Sequence, residues 1–307
     1  MRQNLRAAAL FLAGAFLSAA QAPEVEVAAT VAFTEGPAVN SAGHVYFTDT
    51  VNSRIMNLSA EGKLTVFRHP SNRANGLVFD ARGRLVACEA GDPAAGTPPR
   101  VTRTDLASGR IEVLAERYEG KPLVSPNDVT VDASNRIYFT DMGGRSVYRI
   151  DAEGGIARIL SAPEIERPNG LILSPDDRIF YLIEANQAEN GARMIRAYDV
   201  RPDGGLANRR VFHNFYPGRS GDGMAIDTQG NLYVAAGLHR RRGSSETLDT
   251  RPGVHVFSPA GKLLEFIPIP EDTITNCAFG GADMKTLYVT AGKTLFRTRT
   301  KIPGTRR

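Results

Sequence analysis

The chain has no tryptophan and only two cysteines in 307 residues. Cys88 and Cys277 stand far apart, and one pair gives no disulfide framework to read. Both lie in apolar stretches, so two buried free thiols are expected. No block of like charge appears: 37 Lys and Arg face 33 Asp and Glu, and the net charge of +4 is spread along the chain. A nucleic-acid surface concentrates its basic residues, so no nucleic-acid partner is expected. After residue 22 no stretch has the periodicity of an amphipathic helix. No later apolar run approaches the ~20 residues of a membrane span. What is present is an ordinary globular composition, 42% hydrophobic and 23% charged, with 30 Gly and 18 Pro to make turns. The length suits one large domain or two ordinary ones.

The start of the chain reads as an address. MRQNLRAAALFLAGAFLSAAQA carries Arg2 and Arg6, an apolar run from Ala7 to Leu17, then small residues. This is a secretory signal pattern, with a cleavage site before Gln21. Residues 1–20 are expected to be removed and the protein exported, periplasmic or secreted; an uncleaved anchor is the alternative. Residues 21–301 then form one domain, and the basic tail 302–307 is expected to fray.

A repeat organises that domain. A small polar residue opens a short apolar strand, a turn with Asp, Asn or Gly follows, and a second apolar strand returns. The unit reads GPAVNSAGHVYFTD at 36–49, NGLVFDARGRLVACE at 75–89 and NDVTVDASNRIYFTD at 127–141. It recurs as NGLILSPDDRIFYLIE at 169–184, DGMAIDTQGNLYVAAG at 222–237 and NCAFGGADMKTLYVTAG at 276–292. Taken at Gly36, Asn75, Asn127, Asn169, Asp222 and Asn276, the spacings are 39, 52, 42, 53 and 54 residues. Copies one to five continue into two more alternating runs across a Gly turn, as in SRIMNLSAEGKLTVFR at 53–68. Four antiparallel strands repeated six times predict an all-β, six-bladed β-propeller. The sixth copy is one strand short. EVEVAATVAF at 24–33 can supply that strand and close the ring.

In a propeller the innermost strands line the central channel, so the residues opening each repeat meet near one mouth. These are Glu35, Asn75, Asn127, Asn169, Asp222 and Asn276. Singly, each is a common turn residue; six in register on one axis suggest a site. Carboxylate and amide oxygens without Cys or His suit a hard cation such as Ca²⁺ or Mg²⁺, whereas Zn²⁺ favours nitrogen and sulfur.

TEGPAV (34–39), SPNDVTVD (125–132), RPNGLILSPD (167–176), GDGMAID (221–227), GVHVFSPAGKLL (253–264) and TNCAFGGADMKTLYVTA (275–291) together resemble the SMP-30/gluconolactonase/LRE-like family of six-bladed propellers. The resemblance runs from about residue 31 to 298. It implies one divalent metal held by Glu35, Asn127, Asn169 and Asp222, Ca²⁺ by first expectation and Mg²⁺, Mn²⁺ or Zn²⁺ as alternatives. It implies hydrolysis of a sugar lactone, with Asp222 as general base or orienter of water. A carboxylate bound to a divalent cation is a weak base, so metal hydroxide with Asp222 orienting it is a live variant. Asn75, Ser125 and Asn276 are candidates for substrate contact or support.

Other positions depart from the family pattern: Val124, Ser125 and Ala90 replace residues common there, and Met142-Gly143-Gly144 is a short turn where a capping loop is usual. An insertion, AGDPAAGTPP at 90–99, stands in the second blade. These changes touch substrate specificity and leave the metal set intact. The five histidines show no ligand spacing, His239 being the best placed. Arg240-Arg241-Arg242 reads as solvated surface, or else as a contact to an acidic substrate. The expected partner is a small lactone, and the expected state a monomer or weak dimer. A propeller that binds a ligand or protein without turnover, keeping a structural metal, is the rival reading, with strictosidine-synthase-like chemistry as a remote third.

Overall fold

The computed structural model describes residues 23–306. The segment expected to be an export signal lies outside these residues. Among the described residues there is no helix, and so none long and apolar enough to cross a membrane.

Six four-stranded antiparallel sheets make the blades of a β-propeller. Their innermost strands are Thr34–Val39, Ala74–Phe79, Pro126–Val131, Pro168–Leu173, Gly221–Ile226 and Ile274–Gly280. The first five blades are built from consecutive strands. The sixth takes its outermost strand, Val25–Thr30, from the start of the fold, antiparallel to Thr294–Arg299. The ring therefore closes as the truncated sixth repeat requires.

The apolar core is divided rather than central. Each blade buries one face against the next, and six clusters fill the six interfaces. Ala38, Tyr46 and Ile55 of blade 1 meet Leu77, Phe79 and Leu85 of blade 2. Tyr138 and Val147 of blade 3 meet Leu171 and Phe180 of blade 4. The ring is sealed where Leu295 of blade 6 packs on Val45, Phe47 and Leu58 of blade 1. Apolar side chains are thus consumed between blades, which leaves the axis to polar residues. Cys88 and Cys277 are buried free thiols within these interfaces. Burial raises both thiol pKa values, that of Cys277 to about 12.

The C-terminal tail does not fray through residue 306. Thr228 N–H donates to Pro303 O, Thr305 N–H to Ile226 O and Gly304 N–H to Met284 O, docking the tail on blades 5 and 6. Gly304 lies so close to Phe279 that an added Cβ would stand 2.0 Å from its Cγ. The close approach that only glycine permits is what lets this basic segment pack.

Candidate functional site at the channel mouth

Each innermost strand carries a register slip near its start. The ladder breaks between Glu35 and Ala38, Ala74 and Leu77, Pro126 and Val129, Pro168 and Leu171, Gly221 and Met224, and Ile274 and Asn276. A bulge interrupts the two-residue alternation and re-aims side chains. The repeat-opening residues sit at these bulges, which explains how a buried strand turns a polar residue to the axis. The residue after the anchor is glycine in four blades because the neighbouring blade lies against it. A Cβ on Gly170 would stand 2.4 Å from Asp222 O, and one on Gly223 2.0 Å from Asn276 Cγ. Gly223→Ala should therefore cost about 1–3 kcal/mol by overpacking. Gly155→Ala, where the added carbon meets only Asp151 Oδ2 at 3.5 Å, is the control for a urea melt.

A second repeating device fixes the approach to the strands. A buried acid ends the second strand of the first four blades: Asp49, Glu89, Asp141 and Glu184. Asp141 accepts the N–H groups of Val124 (2.9 Å), Ser125 (2.7 Å) and Gly144 (3.0 Å). Glu184 accepts those of Glu166 (3.0 Å) and Arg167 (2.8 Å), and Asp49 that of Phe33 (3.2 Å). Three carboxylates thus hold the backbone just before Glu35, Asn127 and Asn169. The signal was in the sequence, as the endings FTD, ACE, FTD and LIE at a nearly constant distance from the anchors.

Glu35, Asn75, Asn127, Asn169 and Asp222 line one cavity of about 200 Å³. Asn169 Nδ2 donates to Asp222 Oδ1 at 2.6 Å. Arg219 donates to the other oxygen of Asp222 and is itself locked by Gly237 O (3.2 Å) and Ile274 O (2.7 Å). Burial drives the Asp222 pKa up, while Arg219 and the Asn169 amide pull it down. Glu35 is pushed well above the usual carboxylate range, first by burial and then by repulsion from Asp222 and Asp128.

Asp128 was missed by the sequence reading. It occupies the place that glycine holds in four of the other blades, 8% exposed, and accepts Asn276 Nδ2 at 3.3 Å and its neighbour Val129 N–H at 2.9 Å. Burial pushes its pKa up to about 7. Asn276 supports this acid and does not line the cavity. Ser125 does not line it either; its N–H is spent on Asp141.

The mouth is capped by two loops, one of which carries the Arg240-Arg241-Arg242 run noted in the sequence. Residues 237–252, between strands Leu232–Ala236 and Gly253–Phe257, place Arg242 and Glu246 in the cavity wall; Gln187 comes from the loop before Arg193–Val200. Arg240 and Arg241 remain exposed. The insertion at 90–99 is instead tied to its own blade by Asn72 and contributes nothing to the lining. His239 points away, its Nε2 2.8 Å from Ile269 O.

Among the described residues no three His, Cys, Asp or Glu side chains come together as a metal cluster. An ion here must rely on the amide oxygens of Asn127 and Asn169 beside Glu35 and Asp222. The donor chemistry fits one. Carboxylates crowd a polar cavity: burial first, and then repulsion from Asp222 and Asp128, raise the pKa of Glu35, and a cation would offset that repulsion.

The family model for the SMP-30/gluconolactonase/LRE-like region matches residues 33–293. The gluconolactonase of Zymomonas mobilis is 27% identical over 91% of this chain and 81% of its own length. Zebrafish regucalcin is 30% identical over 68% of this chain and 69% of its own. The solved structure of a gluconolactonase from Xanthomonas campestris superposes with a TM-score of 0.76 at 30% identity, covering 92% of this chain and 90% of that one.

Proposed function

The chain belongs to the SMP-30/gluconolactonase/LRE-like family, and from that premise we propose that it hydrolyses a sugar lactone. The observation carrying this reading is the ring of carboxylates and amides gathered at one channel mouth in a small, almost wholly polar cavity. Of its lining side chains only Met142 and Ala185 are apolar. Cavities for drug-sized ligands run roughly 300–1,000 Å³ and are mostly apolar. This one suits a single polyhydroxylated ring. The two gluconolactonases to which the chain is similar support the same substrate class.

We read the site as dependent on one divalent ion held by Glu35, Asn127, Asn169 and Asp222, with Ca²⁺ the first candidate. Such an ion supplies a Lewis acid that polarises the ester carbonyl. The chain's own residues do the rest. Asp222, fixed by Arg219 and Asn169, orients a water and accepts its proton. The water oxygen bonds to the carbonyl carbon, the ring C–O bond breaks, and the proton passes to the departing alkoxide. Asn75 and Gln187 offer amides to the ring hydroxyls.

Two measurements test this. Chelation should abolish hydrolysis of a lactone panel and lower Tm, because the ion binds only the folded form; adding back Ca²⁺, Mg²⁺, Mn²⁺ or Zn²⁺ should restore both. Full activity in protein shown metal-free by elemental analysis sinks the metal reading. Tight lactone binding without turnover instead makes the protein a binder.

The second measurement uses pH. Asp128, Glu35 and Asp222 all have raised pKa values, so the folded state binds these protons more tightly than the unfolded chain. Their contribution to stability is full below the unfolded value near 4 and is lost as pH rises through about 7 for Asp128. Metal-free protein should therefore lose Tm as pH rises from about 4 to about 7, with little further change from Asp128 above that. Saturating Ca²⁺, which favours the ionised acids, should flatten or reverse that trend.

We also read residues 1–20 as a cleaved export signal, which N-terminal sequencing of the secreted protein tests.

A further inference from the structure

The cavity has a cationic wall that the donor ring does not use. Arg167 stands immediately before Pro168 and the anchor Asn169. Its backbone N–H is held by Glu184 at 2.8 Å, while its side chain, exposed and among those lining the cavity, has no hydrogen-bond or ion-pair partner among the described residues. Arg242 reaches the same cavity from loop 237–252. One of its terminal nitrogens donates to Glu246 at 2.8 Å, but its Nε is buried and has no hydrogen-bond partner. A buried N–H left unpaired is costly and invites an acceptor.

The loop that presents Arg242 is fixed in place. Arg193, a fully buried guanidinium, donates to Asn186 O (3.0 Å), Ala188 O (2.8 Å) and Pro217 O (2.6 Å), and to Ser245 in this loop. Thr247 N–H donates to Pro217 O at 3.0 Å, and Asp272 accepts the N–H groups of His239 and Arg240. Glu246, 3% exposed, is itself held by Ser244 Oγ at 2.8 Å. Arg242 is therefore organised before any ligand arrives. Arg219, the third arginine of the cavity, is already committed to Asp222 and two carbonyls.

We propose that Arg167 and Arg242 form a cradle for an anionic substituent, so that the preferred substrates are sugar lactones carrying a carboxylate or phosphate besides the ester. The inference rests on the lactonase reading for the reaction but not for the binding. Guanidinium forks bind such groups by charge-assisted, bidentate hydrogen bonds. The carboxylates of the donor ring repel an anion from their side of the cavity. A charged lactone is thereby oriented with its anion at the arginine wall and its ester at Asp222. The acid of the relay and the anion of the substrate are kept apart by the same field.

The test compares glucono-1,5-lactone, which is neutral, with glucaro-1,4-lactone and 6-phosphoglucono-1,5-lactone, which add a carboxylate and a phosphate. The parent enzyme should favour at least one charged lactone in kcat/KM by about 10²-fold at low salt, and the two charged arms identify the group. Arg167→Gln and Arg242→Gln should each raise KM for that substrate by about 10-fold and shrink the preference, while Arg167→Lys retains part of it. Calorimetric titration of the metal-loaded protein with the open-chain acids glucarate, 6-phosphogluconate and gluconate gives a readout without turnover. The acids with a second anionic group should bind about 10-fold tighter than gluconate, and Arg167→Gln should remove the difference without changing Tm. If neither binds tighter than gluconate, the cradle is overturned whatever the hydrolysis shows. If the binding difference is present but no lactone is opened, the cradle stands and the hydrolase reading falls.

Discussion

Asp222→Asn is expected to leave a folded protein whose kcat is lower by about 10²-fold or more at saturating divalent metal. The substitution keeps the size and one oxygen, so it separates holding an ion from moving a proton. If Asp222 only holds the ion, raised metal restores turnover, because weaker affinity can be saturated. If Asp222 takes the proton or aims the water, turnover stays low once calorimetry shows the metal bound. The structure gives a reason to expect the second outcome. Arg219 and Asn169 fix both oxygens of Asp222, and a group that merely neutralised a cation would gain nothing from a guanidinium alongside it. Asn169→Asp is the companion. Its extra carboxylate should tighten metal binding and slow turnover, since added negative charge weakens polarisation of the carbonyl. Near-parental kcat in metal-loaded Asp222→Asn would remove this residue from the chemistry and leave the attacking water to the ion alone.

Asp222→Asn also strands Arg219. Its guanidinium would keep Gly237 O and Ile274 O but lose its ion pair with Asp222, and a buried cation that loses its ion-pair partner is destabilising. A fall in Tm is therefore expected together with the fall in kcat. Arg219→Gln in the same chain should recover stability but not turnover, which keeps the two effects apart.

What the sequence made legible follows from where its periodicity is strict. Strand alternation and six in-register anchors were enough to place the blades, the closing strand and the polar ring. The bulges aim the ring residues, but a bulge is a one-residue slip inside an unbroken strand pattern and leaves no compositional mark. Asp128 escaped because it follows an anchor and alternation would turn it away from the axis; the bulge brings it in. Arg167, Arg219 and Glu246 escaped for a different reason: they lie outside the repeated strand pairs, where nothing periodic ranks one side chain over the next. The sequence marks Arg242 only together with Arg240 and Arg241, as an alternative contact to an acidic substrate. Arg242 reaches the cavity while Arg240 and Arg241 stay exposed because long-range ties set the loop, chiefly Arg193 and Asp272. Glycine at position 304 likewise docks a tail that its basic composition would leave in solvent.

Deleting residues 21–33 should lower Tm by about 10 °C or more and abolish activity. The segment is short and half-exposed, so its own apolar burial does not explain that size. Its role is topological. Val25–Thr30 pairs along Thr294–Arg299, Thr298 Oγ1 donates to Glu24 O at 2.8 Å, and Val31 N–H donates to Lys293 O at 2.7 Å. Ala28, Ala29 and Val31 cover the cluster of Val45, Phe47, Leu58 and Leu295 that joins the last blade to the first. Without them one blade edge is unpaired and one of six interfaces is uncovered, so a closed ring becomes an open stack. Several kcal/mol lost in a domain of this size corresponds to a shift on the order of 10 °C. The deletion also removes the backbone leading into Glu35, including the Phe33 N–H that Asp49 accepts, so the polar ring at the channel mouth should fail with the closure. Val27→Lys is the control. Val27 is 61% exposed, and its change keeps every backbone pairing, so Tm should move by no more than about 2 °C if closure rather than side-chain burial is the cause. A deletion variant that melts with the parent would show that the ring holds without its closing strand.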